Sequence, residues 1–61
     1  MSKREALAEL ADVEKRTRNL FVVCRAVGDV RNERQARRDL ASLQRVRRAL
    51  RARPGAVAQA A

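Results

Sequence analysis

Arg25-Ala26-Val27-Gly28-Asp29-Val30-Arg31-Asn32-Glu33 is the stretch on which the fold turns. Glycine enters the left-handed conformation that ends a helix without a Cβ penalty, and an aspartate directly after it can accept from the free N–H groups of a following helix. Gly28-Asp29 therefore predicts one helix ending near Val27 and another starting almost at once, a tight helical hairpin. Asn32 with Gln35 offers a second capping pair, so helix two is expected to begin at Val30 or only at Glu33.

Working back from the turn, Leu10, Val13, Thr17, Leu20, Cys24 and Val27 recur at alternating spacings of three and four, with Ala6 and Phe21 beside them. That is the stripe of an amphipathic helix. Leu20 to Val23 alone would suit a short strand, but it lies inside the longer helical period. Ser2 and Glu5 have the S-x-x-E spacing of a capping box, which puts the helix start near Lys3.

Working forward, Ala36, Leu40, Leu43, Val46 and Leu50 cluster on one side at 100° per residue, narrow enough to pack on one antiparallel neighbour. Arg53-Pro54-Gly55 ends the pattern, because a residue before proline is pushed out of the α region. The expected fold is all-α, a single antiparallel two-helix hairpin: helix one over about 3–27, a turn within 28–32, helix two over about 30–53, and a short non-helical C-terminal tail over 54–61.

The core of such a hairpin is thin. Twelve of the apolar residues are alanines, leaving six Leu, seven Val, one Phe, one Met and one Cys in 61 residues. Chains below about 70–80 residues rarely stand on one apolar core alone, so support from a partner is expected. That partner should be acidic, since 15 Lys and Arg against 7 Asp and Glu give a net charge of +8 and a pI near 11.7. Nucleic acid is the leading candidate. A membrane span is not expected, because the longest uncharged apolar run, Leu20 to Cys24, is far short of the roughly 20 residues needed. Nor is a secretory signal, as no apolar stretch follows Ser2.

Catalytic chemistry has little to work with. His, Trp and Tyr are absent, and Cys24 is the only cysteine, so the usual zinc sets and Ser/His or Cys/His pairs cannot be assembled. Cys24 reads as a small core residue. No enzyme activity, cofactor, metal or small-molecule substrate is expected.

The charge is unevenly divided. Residues 1–28 hold six basic and four acidic groups, a net +2, while residues 29–61 hold nine basic and three acidic groups, a net +6. All nine are arginines. A guanidinium can bond a phosphate bidentately and stack on a base, where lysine offers only a point charge. Arg31, Arg34, Arg38 and Arg45 fall opposite the leucine stripe, flanked by Arg37 and Arg48, and these six are the expected RNA-binding residues. Arg47 and Arg51 lie nearer the seam, where snorkelling stems and partner contacts are both open readings. Only Glu33 to Arg37 has the favourable acid-before-base i,i+4 order on helix two. A merely solvated basic face is the bland alternative. With Phe21 as the sole ring, recognition should be of backbone and shape rather than of stacked bases.

Gln35-Ala36-Arg37-Arg38-Asp39-Leu40-Ala41-Ser42-Leu43 resembles the signature in the second helix of the large-subunit ribosomal protein twenty-nine family. Leu20-Phe21, Ala26-Val27-Gly28 and Asn32 look like further elements of that family, and the resemblance covers roughly residues 9 to 53. It implies an antiparallel hairpin on the large ribosomal subunit near the peptide exit, touching large-subunit rRNA and a neighbouring ribosomal protein. Arg37 and Arg38 would be basic motif positions, and Leu40 and Leu43 packing positions. The setting would be the cytoplasmic ribosome of a bacterium or endosymbiont, or an organellar ribosome. The leading expectation is thus a structural rRNA-binding component. The alternative is a self-associating hairpin, a dimeric four-helix bundle acting as a regulatory or phage or plasmid interaction protein.

Overall fold

The computed structural model describes residues 1–53 and shows an antiparallel hairpin of α1 (Lys3–Val27) and α2 (Val30–Ala52). Each end has a local cause. The Ser2 hydroxyl accepts from the Glu5 N–H at 3.1 Å and so caps α1. Gly28 ends it at φ 77°, in the left-handed region. The Asp29 N–H then reaches back to the Cys24 carbonyl at 2.8 Å, a bond that closes the last turn in Schellman fashion. Asp29 at once caps α2, its Oδ1 accepting from the Asn32 N–H at 3.2 Å and its Oδ2 from the Asn32 side-chain amide at 2.7 Å. Helix two accordingly starts at Val30 and not at Glu33, and Asn32 braces the Asp29 cap instead of forming its own. Arg53, extended at φ −72° and ψ 135°, obeys the constraint of the proline that follows it. The expected tail, 54–61, lies outside the described residues.

The open end is tied by Lys3, whose ammonium donates to the Arg53 carbonyl at 2.8 Å and the Arg51 carbonyl at 3.4 Å. A cation at the C-terminus of α2 also meets the negative end of its dipole.

Between the two ends runs a seam with a 3.5-residue period. Leu7, Leu10, Glu14, Thr17, Phe21 and Cys24 on α1, and Glu33, Ala36, Leu40, Leu43, Arg47 and Leu50 on α2, are the buried or half-buried positions. Apart from Ala6 and Asp29, no other described residue is shielded. Alternating steps of three and four keep both stripes facing each other, the geometry of a coiled coil.

This seam corrects the expected stripes. Val13, Leu20 and Val27 are exposed at 38%, 52% and 73%, as is Val46 at 48%. Leu7, Glu14 and Phe21 take the inner places on α1, and Arg47 on α2. The reason is width. The apolar face of α1 spans more than one row of side chains, and a single neighbouring helix covers only the row on its own seam.

Candidate nucleic-acid interface

Seven-residue spacing returns a side chain to nearly the same direction on a helix, 20° short of two full turns. Arg31, Arg38 and Arg45 therefore form one ridge on α2, about 170° round from the middle of the seam and about 10 Å apart along the axis. Arg34 and Arg48 line the next row, and Arg37 with Arg51 the row that borders the seam. All seven are exposed.

The hairpin adds what one helix cannot show. In an antiparallel pair the rows bordering the seam on one side come from both helices, so Arg37 and Arg51 of α2 share a flank with Arg18 and Arg25 of α1. The register is marked by Arg47, which bonds Glu14 across the seam at 2.9 Å. On that same flank the Arg37 guanidinium lies 5.7 Å from the Phe21 ring centroid, within the range of a cation–π contact. The six expected RNA-binding residues thus lie together on one side of the molecule, and Arg18, Arg25 and Arg51 extend their surface onto the shared flank. Helix one's contribution was missed from sequence because Arg18 and Arg25 join the arginines of α2 only once the seam is phased. The heptad spacing of Glu14, Phe21 and Cys24 was the available signal.

Apart from Arg18, which lies 3.9 Å from Glu14, these cations lack carboxylate partners among the described residues. Among the described residues the ion pairs are Asp12–Arg16, Glu14–Arg18 and Glu14–Arg47, so Arg47 is the only arginine of α2 with a carboxylate within reach. The acids of α2 are engaged elsewhere. Asp29 caps the helix, Asp39 accepts from the Gln35 amide at 2.9 Å, and Glu33 lies half-buried on the seam. Glu33 makes no ion pair with Arg37 despite the favourable spacing, and Arg37 sits on Phe21 instead. Arg45 donates to the Ser42 hydroxyl at 3.1 Å, a neutral contact that leaves its charge uncompensated.

The opposite flank is different in kind. On α2 it presents Asn32, Gln35, Asp39, Ser42, Val46 and Ala49, with no cation before Arg53. The hairpin has a basic side and a charge-balanced, partly apolar side. Among the described residues no three His, Cys, Asp or Glu side chains are grouped to hold a metal ion, and no helix is long and apolar enough to cross a membrane. No family model matches the chain, and neither a curated protein nor a solved structure shows significant similarity to it.

Proposed function

We propose that this protein binds the phosphate backbone of structured RNA through its arginine side. Arg31, Arg34, Arg37, Arg38, Arg45 and Arg48 are the principal contacts, and Arg18, Arg25 and Arg51 extend the footprint. The observation that carries the reading is the absence, among the described residues, of carboxylate partners for seven arginines gathered on one side of a 23-residue helix. Such cations repel one another until a polyanion neutralises them, and arginine geometry suits phosphate. The resemblance in residues 35–43 supports large-subunit rRNA as the specific polyanion. It also favours a position near the peptide exit, beside a neighbouring ribosomal protein, in a bacterial, endosymbiont or organellar ribosome.

The test is a salt titration of the chain on a structured RNA. Log affinity should fall linearly with log salt, at about 0.7–0.9 per phosphate neutralised. Changing Arg34, Arg38 and Arg45 together to Gln should remove about two to three units of that slope and leave the helical circular dichroism intact. A flat titration, or a triple variant with unchanged slope, would overturn the proposal. Co-sedimentation with ribosomal large subunits separates the ribosomal setting from RNA binding in general.

A further inference from the structure

Among the described residues eight large apolar side chains are exposed, and five of them, Val13, Leu20, Val23, Val27 and Val46, fall on the two rows of each helix that form the flank opposite the arginines. We infer that this flank is a self-association surface on which a second copy of the chain packs, giving a two-fold four-helix bundle with both arginine sides facing out.

Three features favour a second copy as the occupant. First, the apolar stripe of α1 is broader than the seam. Leu10, Thr17 and Cys24 belong to the seam while Val13, Leu20 and Val27 stand one row further round, so the apolar face is aimed between α2 and a second neighbour. Second, the flank is electrically neutral in a chain of net charge +8. Its charged groups are Glu9, Asp39, Arg16 and Arg53, two of each sign. A two-fold interface sets a patch against itself, and only a patch of balanced charge tolerates that. The arginine sides cannot meet in this way, and an RNA partner would find no reason to prefer this flank. Third, the area is adequate. The 25 residues of α1 make a face about 37 Å long, and two helices side by side make it about 20 Å wide. That is roughly 700 Å² per protomer, close to the roughly 800 Å² each partner contributes to a stable interface of ordinary size.

Sedimentation equilibrium of the full chain without RNA tests the inference. At about 100 µM, where a micromolar dimer is almost fully assembled, the mass should be twice 6.9 kDa and should fall towards the monomer on dilution. Leu20→Glu with Val46→Glu places carboxylates at half-exposed positions of the hairpin, which the monomer tolerates. It should raise the dimer dissociation constant by at least about 100-fold. Arg38→Gln with Arg45→Gln should leave the mass unchanged. The inference is overturned by a monomer at this concentration, which would leave the flank to a different protein neighbour, and equally by a trimer or larger species. A dimer that survives the glutamates or dissolves with the glutamines would also overturn it. The mass of the unaltered chain decides the question even if a variant fails to fold. RNA affinity and its salt slope are separate readouts, so failure of the RNA reading leaves the mass untouched.

Discussion

A carboxylate at 3% exposure on the seam between Leu10 and Phe21 needs compensation, and Arg47 reaches it from the facing helix at 2.9 Å, with Arg18 more loosely at 3.9 Å. One oxygen, Glu14 Oε1, is buried with no hydrogen-bond partner among the described residues. Such a pair costs desolvation and contributes alignment, because sliding one helix along the other would strand the charge. Glu14→Ala should therefore lower stability by about 1–3 kcal/mol, less than the roughly 3–5 kcal/mol for breaking a fully buried pair because Arg47 keeps some access to water. Replacing both residues with Leu should restore stability or raise it above the starting protein. Urea denaturation followed by circular dichroism measures both, and a Glu14→Ala variant as stable as the parent would show the pair to be idle. The places of Glu14 and Arg47 were poorly legible in the sequence, since two charged residues interrupt the apolar heptads at facing positions. Each is reasonable inside only because the other is there.

Helix ends are governed by neighbours in sequence, and here they were read almost to the residue. Ser2, Gly28, Asp29 and Arg53-Pro54 all signal through local backbone geometry, so Lys3–Val27 and Val30–Ala52 follow without tertiary information. The exception is Asn32, which is spent on the side chain of Asp29. Gly28 offers the cleanest test at this scale. A Cβ there would meet nothing within 4 Å, so Gly28→Ala carries only the backbone penalty of the left-handed region, about 1–2 kcal/mol. For a domain of this size that is a fall in Tm of very roughly 4–16 °C, and Gly28→Asn should lose less. A Gly28→Ala protein melting with the parent would mean that the residue leaves the left-handed region in the variant. Which face of each helix turns inward was less legible. The period was plain, but α1 is apolar on adjacent rows, and the stripe centred on Val13, Leu20 and Val27 is one row away from the seam.

For the molecule as a whole, charge acts in opposite directions on folding and on binding. Arginines with no carboxylate partner among the described residues crowd one side of a chain of net charge +8, and their mutual repulsion opposes the compact state. Raising salt screens that repulsion, since the Debye length shrinks from about 10 Å at 0.1 M to about 3 Å at 1 M. The melting temperature should thus rise between these conditions, by about 5 °C for each kcal/mol of repulsion relieved, while RNA affinity falls over the same range. A melting temperature that drops with salt would mean that attractive ion pairs outweigh repulsion in the folded state. Composition alone foretold a thin core: among the described residues only Cys24, Ala36 and Glu14 are buried.

The helices, their ends, their antiparallel sense and the basic bias of the second half follow from the order of residues alone, because caps, turns and periodicity act over a few positions of chain. The pairing of Glu14 with Arg47, the sharing of a flank by Arg18, Arg25, Arg37 and Arg51, and the exposure of Val13, Leu20, Val27 and Val46 waited on the packed hairpin. Those features depend on which row of α1 meets which row of α2, and that choice is made by contacts between residues some thirty positions apart.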